Sequence, residues 1–504
     1  MIASLLAFAP PLVSGSEQRY DGHAIVRVDA PTPADLATVT AIAEEVWTHR
    51  PGPGLVDVRV APDRMAELEA TGLVVELAVA DLQPRIDAER DRLANAPDPA
   101  EGGAWFSDFR DYDDVMTQLE AMAASAPDIA QVIDVGSSLE GRPIKGLRIG
   151  KAGAPAVMYT GTIHAREWLA TMVAMCVADA YIGGYGSDAH ITELVDDIGI
   201  VVVPILNPDG YVVSWTADRY WRKNTRDGYG VDLNRNFDIA WGGEGASGNP
   251  SDETYYGEAP FSEPESAAVR DLVAASPEIV AHIDFHSFST LVLYPWGHTY
   301  DPAPDDAQLS MLASAMSNAM ANATSWDYPA IQASDLYPAS GCIDDWNYGE
   351  NDMMAFTIEL RGDDFVVPPS QIAPACSESI AAALVLADWV LDQAGGPSAD
   401  DGGSTGASDE AGDEHPDPTL DDGGDAAGTT GALEGSGHGD DEAANGDDGP
   451  GGTGGGPSAL PPGFGLGSET ASGCAIASTT DGRATLAILL PLVFRRRRRR
   501  AHGT

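Results

Sequence analysis

The sequence predicts an α/β protein: a mixed, mainly parallel, twisted sheet flanked by helices, preceded by a small α+β unit and followed by a disordered acidic tail. Three observations carry this. Continuous apolar runs, among them IGIVVVPIL, EIVAHIDFHSF and MMAFTIEL, alternate with helical patterns from Trp105 to about Ala394, as strands covered on both faces do. Residues 20–86 read instead as short alternating strands and short helices. From Gly395 the composition changes to Gly, Asp, Glu, Ser and Pro, with hardly any aromatics and no Lys or Arg up to Gly473.

The elements follow in order. Residues 1–16 carry a short apolar core ending in small residues and read as an export signal. In the 20–86 unit, HAIVRV, LVDVRV and LVVELAV are strands, and PADLATVTAIAEEVW and DRMAELEAT are helices. Residues 87–104 include DAERDRLANAPDPAEGG, a charged, Pro- and Gly-containing stretch expected to be a linker open to proteolysis. In the 105–394 domain, DYDDVMTQLEAMAASAP is an amphipathic helix ended by Pro, AVMYTGTIH a buried strand, and EWLATMVAMCVADAYIGG a helix stopped by Gly. ESIAAALVLADWVLDQAGG closes the domain as a helix. Residues 395–473 cannot bury enough apolar surface to offset chain entropy and are expected to form a solvated stalk. Residues 474–504 combine Cys474, the apolar ATLAILLPLVF and six arginines from Arg495 to Arg500, too short for a comfortable span but suited to stopping at a cytoplasmic face.

The 504 residues carry a formal net charge of -50, from 78 acidic and 28 basic side chains. That balance argues against a nucleic-acid partner, whose phosphates need cations. Four cysteines do not make a disulfide framework. Cys176, in an apolar helical run, is expected to be a buried thiol, whereas Cys342 and Cys376 could pair in an exported protein.

The chemistry gathers at strand ends, where loops present side chains to a cleft. His164 and Glu167 stand three apart in YTGTIHAREWLA, and His286 follows the strand of EIVAHIDFHSF. Two imidazoles and one carboxylate match a catalytic zinc site, which leaves a fourth position open. Glu359, ending the strand of FTIELRGDD, is placed to act as general base. Arg166, Arg222 in YWRKNTR, and Arg235 beside Asn234 in DLNRNFD suit an anionic substrate group, such as a peptide's free C-terminus.

Residues 105–394 resemble the zinc carboxypeptidases of the pancreatic A/B type and their bacterial relatives, through EGRPI, HAREW, NPDGY, WRKN, DLNRNFD, HSFSTLVLYPWG, LYPASG, DDW and FTIELR in order. The resemblance implies one Zn2+ held by His164, Glu167 and His286, with Glu359 as catalytic base and Arg222 stabilising the oxyanion. It also implies that Asn234 and Arg235 grip the terminal carboxylate, that Tyr337 closes over it, and that Arg166 binds substrate. The family's pocket residue two before the Trp of DW is here Asp344, which implies preference for a C-terminal Lys or Arg. The 20–86 unit resembles the family's propeptide, implying a zymogen opened by an activating protease in the 87–104 linker. The C-terminal end resembles the sorting signals of myxobacterial surface proteins, implying a secreted or surface-anchored enzyme attached through its C-terminus. The expected partners are therefore peptides or proteins with a free C-terminus. Two rival readings are a peptidoglycan stem-peptide carboxypeptidase, whose diamino acid's second carboxylate Asp344 should repel, and an inactive surface protein that only binds peptides.

Overall fold

The computed structural model describes residues 17–47, 54–96 and 104–395; the segments read as export signal, stalk beyond Gly395 and sorting signal fall outside these residues. Near the N-terminus, strands β1 (Ala24–Ala30), β2 (Glu45–Val46), β3 (Gly54–Val60) and β4 (Val74–Val79) form an antiparallel sheet in the order β2-β3-β1-β4. Its alternating valines, Val26 and Val28 on β1 and Val56 and Val58 on β3, pack with Val39, Ile42 and Leu68 from the helices Pro33–Ile42 and Met65–Ala70. Thr32 and Asp35 cap the first of these helices reciprocally.

The larger sheet contains β5 (Ala130–Ser137), β6 (Pro143–Gly150), β7 (Ala156–Gly161), β8 (Gly199–Val203), β9 (Ile279–Ser287), β10 (Leu291–Tyr294), β11 (Ala330–Gln332) and β12 (Met354–Leu360). Among the described residues its order is β11-β10-β12-β9-β7-β8-β6-β5. The central strands β12, β9, β7 and β8 run parallel, and among the described residues of this sheet antiparallel pairing occurs only at β10–β12, β8–β6 and β6–β5. This is the mixed, mainly parallel sheet read from the apolar runs. Helices Trp168–Gly184, Asp306–Thr324 and Ile372–Gly395 cover one face in a single core with Tyr159, Ile283 and Phe356. Helices Pro264–Ala275 and Ile343–Asn351 cover the other, around Met158, Val201 and Trp346.

Two readings change here. Cys176 is not a free thiol, and Cys376 does not pair with Cys342: Cys176 and Cys376 form a disulfide, leaving Cys342 as a buried thiol. The reason is packing. Helices Trp168–Gly184 and Ile372–Gly395 share one core and bring these Cα atoms to 5.7 Å, within disulfide reach, across 200 residues of sequence. The segment read as a linker from residue 87 begins instead as a helix, Gln83–Ala94. Its Ala, Arg, Glu and Leu are good helix formers, and a Pro sits in its first turn. Its buried Ile86 and Glu89 face the larger domain.

Candidate active site

The strand ends assemble the site. After β7 the chain turns at Thr162, a non-glycine residue at φ 55°, so that His164 and Glu167 project from the loop before helix Trp168–Gly184. His286 lies on β9, and parallel pairing of β12 with β9 sets Glu359 opposite His286. All four side chains are buried.

His164 Nδ1 lies 2.9 Å from Glu167 Oε1, His286 Nδ1 lies 3.1 Å from Glu167 Oε2, and the two Nδ1 atoms are 3.1 Å apart. A tetrahedral ion with bonds of about 2.0–2.1 Å has ligand–ligand edges of roughly 3.3 Å, so the two Nδ1 atoms and the Glu167 carboxylate fit three corners of a zinc site. Each imidazole turns its other nitrogen to a carboxylate: His164 Nε2 to Asp232 Oδ1 at 3.2 Å, His286 Nε2 to Asp284 Oδ2 at 2.8 Å. That arrangement keeps each Nδ1 free to ligate. Glu359 Oε2 is buried with no hydrogen-bond partner among the described residues. An orphaned carboxylate oxygen beside three ligand atoms is the donor set that water and a cation would complete. Burial pushes the Glu359 carboxyl up to about 7.

Cationic groups line the same cleft. Asp232 Oδ2 accepts from Arg222 Nη2 at 2.9 Å, so a single carboxylate orients both His164 and Arg222. Asn234 Oδ1 accepts from the Ile343 amide at 2.9 Å. Arg235 Nη1 donates to the Asn234 carbonyl at 2.7 Å and Nε to the Gly245 carbonyl at 2.9 Å, and its guanidinium stands 5.9 Å from the half-buried Tyr337 ring. Cys342 Sγ lies 3.5 Å from Arg235 Nη1, so the third cysteine packs on this arginine.

The two neighbouring aspartates of DDW differ. Asp345 is fully satisfied, accepting from the amides of Gly297 and His298 at 2.8 and 2.9 Å and lying 2.6 Å from His298 Nδ1. Asp344 is equally buried, yet no cation pairs with it among the described residues. Burial, with Asp345 beside it, pushes its carboxyl up to about 7.

Arg166 is occupied from the N-terminal unit: Glu45 Oε1 lies 2.6 Å from its Nη1, at a position only 9% exposed. Its guanidinium also stacks over Phe365 at 4.1 Å. Around this pair Trp47, Tyr20, Leu82 and Ile86 of the N-terminal unit pack with Tyr220 and Phe365. A fully buried side chain of this kind contributes about 1.5–3 kcal/mol. Buried Arg219–Glu89 at 2.6 Å and half-buried Arg85–Asp364 at 2.7 Å add polar register to the contact.

Distances and electrostatic neighbours thus connect the ten sequence-predicted residues in one neighbourhood of the fold. Asp232, Asp284 and Glu45 were not singled out from sequence. Asp284 had a readable signal, since His282, Asp284 and His286 recur at the two-residue period of an otherwise apolar strand. Glu45 had none, because its role depends on how two units meet.

Comparison with known proteins follows the same outline. Residues 115–382 match the family model described as zinc carboxypeptidase, peptidase M14. The chain is 32% identical to carboxypeptidase B of Bos taurus over 420 residues, covering 78% of this chain and 99% of that protein. It is 32% identical to carboxypeptidase A1 of Rattus norvegicus over 416 residues, covering 78% and 98%. Among solved structures, carboxypeptidase A from Helicoverpa armigera superposes with a TM-score of 0.67 at 29% identity, covering 74% of this chain and 98% of the other. Thrombin activatable fibrinolysis inhibitor superposes with a TM-score of 0.68 at 27% identity, covering 74% and 100%.

Proposed function

This chain belongs to the zinc carboxypeptidase family, and from that membership we propose that it is made as an exported zymogen whose active form removes single C-terminal residues, with Lys and Arg preferred. It is a metallocarboxypeptidase, a hydrolase with one catalytic Zn2+ that acts on peptides with a free C-terminus. In the proposed assignment His164, Glu167 and His286 hold the metal. When bound, zinc supplies a Lewis acid and lowers the pKa of water.

The remaining chemistry belongs to the chain's own residues. Arg235, Asn234 and Tyr337 bind the terminal carboxylate, which selects an end over an internal bond. Arg166 holds the substrate backbone upstream. Arg222, steadied by Asp232, faces the scissile carbonyl and stabilises the negative charge that develops on its oxygen. Glu359 accepts a proton from the attacking water and returns it to the departing amine.

The observation that carries the basic preference is Asp344, a buried carboxylate with no cationic partner among the described residues, beside one that is fully satisfied. A substrate Lys or Arg side chain would supply the missing charge. The Glu45–Arg166 pair supports the zymogen reading, since it occupies a proposed substrate residue with an acidic group. Cleavage between Ala94 and Ala104, beyond the helix, would free the unit. The Cys176–Cys376 disulfide supports export, because such bonds persist in oxidising compartments. Attachment at the cell surface through residues 474–504 extends the proposal to the C-terminus.

Matched short peptides ending in Arg, Lys, Leu or Phe, offered to the zinc-loaded enzyme before and after cutting, test the reading. Release of Arg and Lys at least tenfold faster than Leu, appearing only after the cut, is the expected result. Fastest release of Leu or Phe would overturn the pocket assignment, and equal rates before and after cutting would overturn the zymogen.

A further inference from the structure

Strand β9 carries more polar groups than metal binding requires. His282, Asp284 and His286 share one face of this strand, and all are buried in a sheet covered on both sides. Buried polar groups in such a place are costly unless each finds a partner. Here they form one continuous line. Asn347 Nδ2 lies 3.0 Å from His282 Nδ1, and His282 Nε2 lies 2.8 Å from Thr160 Oγ1. Thr160 Oγ1 lies 2.6 Å from Asp284 Oδ1, and Asp284 Oδ2 lies 2.8 Å from His286 Nε2.

The direction of every bond follows from the aspartate. A carboxylate only accepts, so both the Thr160 hydroxyl and His286 Nε2–H must donate to it. The other neighbour of His286 Nε2, Asn234 Nδ2 at 3.5 Å, is a donor and is more distant. Thr160 has one proton and gives it to Asp284, so its oxygen accepts from His282 Nε2–H. His282 Nδ1 is then bare and accepts from the Asn347 amide. Among the described residues Asn347 Oδ1 is left buried without a partner, and turning that amide would only set its carbonyl against the bare Nδ1. The orphan oxygen is thus the mark of an orientation imposed by the line.

Nothing else in the site asks for Thr160, His282 or Asn347. We propose that these three are positioning residues for zinc, acting through Asp284: the line holds the Asp284 carboxylate against His286 Nε2, fixes that proton on Nε2, and so presents the Nδ1 lone pair at the metal corner. The line begins on helix Ile343–Asn351, one turn beyond Asp344, so the helix that bears the proposed pocket carboxylate also anchors a metal ligand. The inference rests on the assignment of His286 as a zinc ligand.

The test uses the full chain and reads zinc affinity by competition with a chelator, together with the visible spectrum of the cobalt(II)-substituted protein. Thr160→Val keeps the shape and removes the hydroxyl, and we expect zinc binding weakened about tenfold or more with an altered cobalt spectrum. Thr160→Ser returns the hydroxyl and restores both. If Val cannot be seated and the variant fails to fold, Thr160→Ala carries the same measurement. His286→Ala separates the two levels of the argument. Wild-type zinc affinity in His286→Ala would overturn the ligand assignment itself. Loss of zinc there, with wild-type affinity and spectrum in the folded Thr160 variant, would overturn the positioning line alone.

Discussion

The two sheets hold their buried charges in different ways. In the eight-stranded sheet and its loops, Asp232 is shared by His164 and Arg222, and Asp284 by His286 and Thr160, all within one domain and with each carboxylate bonded on both oxygens. At the four-stranded sheet, Glu45 and Trp47 at the tip of β2 meet Arg166 and Tyr220 across a boundary. The first kind of pair is fixed for the life of the fold. The second can be undone by moving one unit away. In the proposed zymogen, similar distances therefore serve catalysis in one place and restraint in the other.

The sharpest way to separate the two is to remove the base. Glu359→Gln keeps the shape of a side chain that has no partner at Oε2 among the described residues, so the fold and the N-terminal contact should persist. Turnover of the cut enzyme should fall roughly 10⁴-fold, the upper range for a general base. Zinc content and the melting temperature of the uncut chain should change little. A fall in melting temperature equal to that of a core variant would show that Glu359 belongs to the structural class of charges after all.

Next in size is Asp344. With Asp344→Ala the advantage of Arg over Leu as the released residue should drop by a few hundredfold, the scale of a buried charge pair losing one partner. Release of Leu should hold or rise. If both substrates lose rate equally, Asp344 supports the helix instead of reading the substrate.

Glu45 tests the restraining side. Glu45→Ala leaves Arg166 buried with Glu253 at 3.8 Å as its nearest other carboxylate. The aromatic cluster and the Arg219–Glu89 pair remain, so the N-terminal unit should stay attached but open more often. Activity of the uncut chain should rise roughly thirtyfold, while the cut enzyme stays as it was. No rise would place the restraint in the aromatic cluster alone.

The sequence made one side of this comparison far easier to read than the other. The proposed ligands, base and carboxylate-binding arginines sit in short ordered motifs at strand ends, where type and spacing already express the chemistry. Apolar runs such as IGIVVV show which strands are covered on both faces. The contact between units has no such local code. Glu45 ends an ordinary helical stretch in the sequence, and it meets Arg166 only because β2 pairs with β3 and turns the chain toward the cleft. The Cys176–Cys376 bond was hidden likewise, since helix packing, not spacing, brings the sulfurs together. Helix Gln83–Ala94 was obscured by its charges, of which Glu89 is buried against Arg219 and therefore not a solvated linker residue at all.

The smallest predicted effect is also the most diagnostic of the fixed side. Burial and the adjacent Asp345 push Asp344 up to about 7, so in the free enzyme below that pH the proposed pocket is increasingly neutral. A bound Lys or Arg favours the ionised form and lowers this value. Binding of a basic end must therefore expel a proton at low pH and none at high pH. Its advantage is full above pH 7 and is lost as pH falls through that value. A Leu end makes no such demand on the group. Glu359 also rises to about 7, but it serves both substrates alike and cancels in their ratio. The ratio of kcat/KM for Arg over Leu should thus fall about tenfold from pH 8 to pH 6, following the ionised fraction of a single group. A ratio constant across this range would mean that Asp344 is ionised throughout, held by a partner inside the protein, and would move it from the pocket to the class of fixed charges that Asp345 already represents.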